Sequence, residues 1–323
     1  MRFLLLFFTL FFAAPIAAKE PVLGLPIDCI LGETCYVQHY VDRDEGPGVS
    51  DFSCGSLSYD GHKGTDIALP NIDVMQEGVD VLAAASGTVI ATRNHMPDIK
   101  YGSLGAPDVD TDGTECGNGI KIRHNDGWTT MYCHMKQGSI IVEKGQSVAK
   151  GNVLGQVGLS GKTQFPHVHL AVRKNDRIVD PFDVSDTLTC NNPDRNSLWH
   201  KPLPYVASGI IQLGFDSKIP NYADIKADGN PLPFLAVNAP ALVLWGHAFG
   251  GLPNDTIVLN ITGPNGVFSH QKIRLGKKQV QYFRASGKRN KGTDWVKGRY
   301  RGTVKIMRGS NIIAERKTSI EVK

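Results

Sequence analysis

All six cysteines of this 323-residue chain, Cys29, Cys35, Cys54, Cys116, Cys133 and Cys190, fall before residue 191 and behind an apolar run from Phe3 to Ala14. That run, the basic Arg2 ahead of it and the small residue Ala18 form the pattern of a secretory signal peptide over residues 1–18, so the mature chain is expected to begin at Lys19. The stretch is short for a membrane span and no later segment reaches that length. The mature chain is therefore expected to have no transmembrane segment and to be exported, to the periplasm or the extracellular space. In an oxidising compartment an even number of cysteines reads as three disulfides. Cys29 with Cys35, across a short loop, is the one pairing the spacing favours. No CxxC pair occurs, which argues against a zinc ribbon.

Charge divides the chain at the same place as the cysteines. Residues 1–200 carry 16 Lys and Arg against 24 Asp and Glu, whereas residues 201–323 carry 19 against 7. A disulfide-tied domain over 19–200 and a basic domain over 201–323 are expected, joined near Pro202 and Pro204. The 35 Gly and 18 Pro imply many turns between short elements, a mainly β architecture. Runs such as GIKIRH (119–124), WTTMYCHM (128–135) and HVHLAVRK (167–174) read as strands. Asn125-Asp126-Gly127 between the first two predicts a tight hairpin, because these residues tolerate left-handed backbone, and an antiparallel sheet follows.

Residues 93–117 lack periodicity and are expected to form an inserted surface loop. Their Asp108, Asp110, Asp112 and Gly113 open a DxDxDG calcium pattern, but Gly119 stands where the bidentate Glu belongs, so a solvated acidic loop is expected instead. Beyond residue 205, short strands at regular spacing predict an immunoglobulin-like β-sandwich. From Gln271 onward it carries 16 basic against 3 acidic side chains, which suits an anionic envelope polymer, the acidic partner domain, or simply a soluble surface. Nucleic acid is excluded as a partner of an exported protein.

Metal-binding side chains concentrate in GHKGTD (His62, Asp66), YCHM (His134) and PHVHL (His167, His169). In a strand, alternation presents His167 and His169 on one face while Val168 and Leu170 enter the core. Gly61 and Gly64 argue for a turn running into a strand around His62. Alternation also puts Tyr132 and His134 on one face and Cys133 on the other, making Cys133 a structural cysteine. His39, His95, His124, His200, His247 and His270 lack partners in the sequence and read as ordinary core or surface residues. Neither HExxH nor GxSxG occurs, which removes two common hydrolase classes.

Taken together, SYDGHKGTDIAL, GNGIKIRHNDGWTTMYCHM, VEKGQSVAKGNVLGQVGLSG and FPHVHL resemble, in order, the motifs of the lysostaphin-type (LytM-like) zinc metallopeptidases over residues 56–183. The resemblance implies an antiparallel β domain with a groove that hydrolyses peptide bonds of bacterial peptidoglycan. It implies one zinc ion held by His62, Asp66 and His169, with His134 and His167 catalytic. Three protein ligands leave the fourth tetrahedral position open, as a catalytic rather than a structural zinc requires.

Two departures flank these motifs: Thr163-Gln164-Phe165-Pro166 precedes His167 where Thr-Gly-Pro is common, and Leu170-Ala171 follows His169 where Phe-Glu is common. The lead segment 19–55 is expected either to brace the site or to occlude it. The competing function is a non-catalytic scaffold of the same fold that activates a separate cell-wall amidase; such scaffolds lack one or more ligands, and this chain retains all five polar residues.

Overall fold

The computed structural model describes residues 20–190, 192 and 195–323; the expected signal peptide and Lys19 lie outside the described residues. No helix among the described residues is long and apolar enough to cross a membrane. The described residues form mainly antiparallel sheets, with helices of no more than six residues.

The first sheet runs, strand beside strand, through Tyr36–His39, Thr65–Ala68, His167–Lys174, Trp128–Met135, Asn118–Arg123, Gly87–Arg93 and Ser147–Val148, with Arg177–Val179 pairing on the His167 strand. The NDG hairpin forms as the sequence predicts: Asp126 and Gly127 adopt φ of 54° and 73°, and the flanking strands pair antiparallel. Ile67, Val168, Leu170, Ile120 and Tyr132 are all within 1% of complete burial on one face of this sheet. Burial of each such aliphatic side chain contributes roughly 2 kcal/mol, and their alternation forces His167 and His169 onto the opposite face.

Gly209–Asp216, Ala241–Gly251 and Gln279–Arg289 form a three-stranded sheet that packs on a five-stranded one containing Thr256–Gly263, Gly266–Arg274, Gly298–Arg308 and Asn311–Val322. Leu242 and Leu244 from one sheet meet Ile257, Leu259 and Val304 from the other, the interior of a β-sandwich. The sandwich also touches the first sheet. Phe249 stacks on Tyr36 with ring centroids 4.6 Å apart, and Gln281 Nε2 donates to Tyr36 Oη and to Gln38 Oε1.

Residues 94–117 are irregular except for the turn of helix Val109–Asp112, yet they are tied down: the Asn118 side chain bonds both backbone groups of Met96, and Tyr101 N donates to Thr163 O. The DxDxDG segment is helical rather than a calcium loop. Asp110 is engaged by Lys162 at 2.5 Å and by the Tyr101 hydroxyl.

Three disulfides form, Cys29–Cys35, Cys54–Cys190 and Cys116–Cys133, and no cysteine is free. They close loops of very different length, with sequence separations of 6, 136 and 17. By loop-closure entropy the 54–190 bridge is worth about 5 kcal/mol and the 29–35 bridge about 2 kcal/mol. Cys54→Ser/Cys190→Ser should therefore lower the denaturant midpoint more than Cys29→Ser/Cys35→Ser, a ranking that equilibrium unfolding measures directly.

Candidate metal centre

Asp66 is the hub. The Thr65–Ala68 strand pairs with the His167 strand so that Asp66 lies opposite His169 and Ala68 opposite His167. Paired residues of an antiparallel ladder share a face, so both histidines and the carboxylate emerge together. Gly61, at φ 72°, turns the chain so that His62 folds back over Asp66. His62 Nε2 lies 3.1 Å from Asp66 Oδ1, His169 Nδ1 lies 2.8 Å from the same oxygen, and the two nitrogens are 3.2 Å apart. His62 and Asp66 are buried and the His169 side chain is 14% exposed.

Three lone-pair-bearing atoms this close repel one another unless a cation lies among them. Donors about 2.0–2.1 Å from a tetrahedral zinc stand about 3.4 Å apart, so the observed separations fit one ion with these three ligands. Two nitrogens and one carboxylate oxygen are also the donor set zinc prefers in open sites. A single His-Asp-His group of this kind occurs among the described residues.

Hydrogen bonds to main-chain carbonyls orient the rings. His62 Nδ1 donates to Tyr40 O at 2.7 Å, His134 Nδ1 to Ser160 O at 2.8 Å, and His167 Nδ1 to Phe165 O at 2.9 Å. A carbonyl only accepts, so each Nδ1 carries the proton and each Nε2 is bare in the neutral ring. His167 Nε2 reaches to 3.4 Å from Asp66 Oδ1. The His134 ring lies 4.6 Å from that of His167 and 6.0 Å from that of His169.

Burial pushes the Asp66 carboxyl up, but His62, His167 and His169 outweigh it and hold the group well below the usual carboxylate range. Burial, with His167 and His169 alongside, holds His134 well below 6.5, so its ring is neutral at neutral pH.

All five residues expected from the sequence converge on one place, but Tyr132 and Cys133 lie on the faces opposite to those expected. Simple alternation is broken because His134 has φ 62°, a left-handed conformation that turns its side chain to the metal face. Tyr132 instead faces the core, its hydroxyl accepting from Ala84 N, while Cys133 pairs with His169 on the site face. Cys133 is nonetheless structural, because its sulfur is bonded to Cys116.

His39 is the second correction. It is buried, and its Nδ1 donates to Asp66 Oδ2 at 3.1 Å, so the oxygen turned away from His62 and His169 is held from the lead segment. That segment braces the site: Tyr36–His39 is an edge strand beside Thr65–Ala68, and Tyr40 holds His62. The two motif departures also acquire positions. Phe165 stacks on His167 at 4.5 Å, and Ala171 lines the open groove beside the centre.

Residues 60–181 match the family model described as Peptidase family M23. The chain is 28% identical over 134 residues to Peptidoglycan DD-endopeptidase ShyA of Vibrio cholerae, which covers 42% of this chain and 25% of that protein. It is 36% identical over 69 residues to DD-carboxypeptidase/endopeptidase Mpg of Neisseria meningitidis, covering 21% of this chain and 15% of that one. The aligned part thus spans no more than a quarter of either relative. Among solved structures, the catalytic domain of the M23 protein EnpA from Enterococcus faecalis aligns over 50% of this chain and 93% of that one, at 24% identity and a TM-score of 0.32.

Gly64 faces the His169 ring: a Cβ there would lie 2.5 Å from His169 Nε2 and 2.8 Å from Leu170 O. Gly64→Ala should therefore displace the ring, shift the strand locally at Leu170, and weaken zinc binding by about tenfold or more. Competition titration against a zinc chelator, with circular dichroism as the folding control, checks this.

Proposed function

We propose that the chain is an exported zinc-dependent endopeptidase that hydrolyses peptide cross-links of bacterial peptidoglycan. One zinc ion would be held by His62, Asp66 and His169, and His134 and His167 would handle protons. The reading rests above all on the pinning of three Nδ1 atoms by backbone carbonyls, which leaves three bare Nε2 atoms, those of His62 and His167 within 3.4 Å of one carboxylate oxygen. The relative ShyA, named as a peptidoglycan endopeptidase, supports the substrate class.

When bound, zinc polarises a carbonyl oxygen and makes water nucleophilic near neutral pH. His134 is neutral and presents a bare Nε2, so it accepts a proton from the attacking water; Ser160 O then stabilises the resulting imidazolium through Nδ1–H. The proton held by His134 then passes to the departing amine, directly or through His167, whose rotation the stacked Phe165 ring restricts. Imidazole, from His134 and His167, carries the proton transfer.

The three disulfides suit a periplasmic or extracellular protein. The outer face of the five-stranded sheet gathers His270, Lys272, Lys305 and Lys317 around one acidic residue, Glu315, and we assign to it a hold on an anionic envelope polymer.

His169→Ala should abolish both zinc binding and turnover. His134→Ala should keep zinc at one per chain and reduce kcat by about 10²–10⁴. Elemental analysis and muropeptide release measured by mass spectrometry separate the two effects. Because the folded-state pKa of His134 is lowered, its accepting form persists as pH falls through 6.5. The acid limb of kcat/KM should therefore have its midpoint below 6.5; a midpoint above it contradicts the assignment of His134 as base. Lys272→Gln/Lys305→Gln/Lys317→Gln should weaken retention on sacculi at low salt and have little effect at high salt, as co-sedimentation measures.

A further inference from the structure

The part of the chain before residue 201 carries more acidic than basic side chains, yet the open groove running from the metal centre reverses that balance. Lys63, Arg93, Lys121, Lys162 and Arg173 line it, against Glu115 alone among the acidic side chains of the lining. The ladder places them. Cys133 lies opposite His169, Met131 opposite both Ala171 and Lys121, and Gly119 opposite Arg93. With strands about 4.8 Å apart and about 3.4 Å per residue, Lys121 and Arg173 stand about 12–14 Å along the floor from His169. Between them and the centre the floor consists of the low side chains Ala171 and Met131 and of Gly119, where an extended peptide can lie.

These cations differ in how far they are already neutralised. Lys162 is engaged by Asp110. Arg93 Nε donates to Gly117 O and Arg173 Nη1 to Asp176 O, carbonyl contacts that fix each guanidinium without cancelling its charge. Lys121 has only the Asp176 carboxylate at 3.8 Å, and that aspartate side chain is 87% exposed, a pair a ligand displaces at little cost. A guanidinium held by one edge retains a second edge for a carboxylate.

We infer that the groove selects acidic peptides. Free carboxylates on residues two to four positions from the bond to be cut are held by Arg93, Lys121 and Arg173, which act as specificity-determining residues. The inference rests on the hydrolase reading for its biological setting, but the groove's preference is measurable without turnover.

The probes are a cross-linked muropeptide with free carboxylates and the same muropeptide with those groups converted to carboxamides. Zinc-loaded full-length His134→Ala protein, titrated calorimetrically with each, should bind the free acid about tenfold more tightly at low salt. The preference should narrow to about twofold in 0.5 M salt, or when Lys121→Gln/Arg173→Gln is added. With zinc-loaded wild-type protein, kcat/KM for the two substrates should show the same ratio. Equal binding of acid and amide, or a preference that survives the double charge removal, overturns the inference. A binding preference of the expected size without cleavage of either muropeptide by the wild type supports the inference and counts against the hydrolase reading alone.

Discussion

A carboxylate buried among imidazoles is the constraint on which the rest of this structure depends. Isolated, Asp66 at 3% exposure would be costly, because a buried charge must be paired or must bind a metal. Its surroundings meet that demand at both oxygens: His39 donates to one, and His62 and His169 complete with the other a donor set for a cation. The fold serves this arrangement. Three sequence-distant segments reach one point only because Thr65–Ala68 is sandwiched between Tyr36–His39 and His167–Lys174 in a single antiparallel sheet.

Much of the centre is legible in the sequence because its side chains come from short motifs whose geometry is local. HxH on a strand exposes two rings on one face, and the glycines around His62 dictate a turn rather than a helix. What the sequence hides is less local. His39 meets Asp66 only through pairing of an edge strand whose four residues carry no recognisable pattern. His134 escapes the alternation rule because a single residue takes φ 62°, its backbone N–H donating to Cys116 O beside the Cys116–Cys133 bridge. The basic groove is equally hidden, since its cations come from separate strands within a stretch whose overall composition is acidic.

The remaining architecture supports the centre from outside. The lead segment holds His62 through Tyr40 O and Asp66 through His39, so it braces the site. The β-sandwich in turn backs that segment, with Phe249 stacked on Tyr36 and Gln281 bonded to Tyr36 and Gln38. The basic sandwich is therefore joined to the far side of the strand that carries His39. The broad expectations for fold class and for disulfide number agree with what is observed; the calcium-like acidic repeat is a helical turn closed by Lys162.

X-ray absorption at the zinc edge of the zinc-loaded protein tests the central claim most directly. A first shell of nitrogen and oxygen donors at about 2.0–2.1 Å, with outer-shell scattering from two imidazoles and no sulfur, is the predicted result. Three or more imidazoles at the metal, a sulfur shell, or no stoichiometric zinc would contradict a centre built from His62, Asp66 and His169 with an open fourth position.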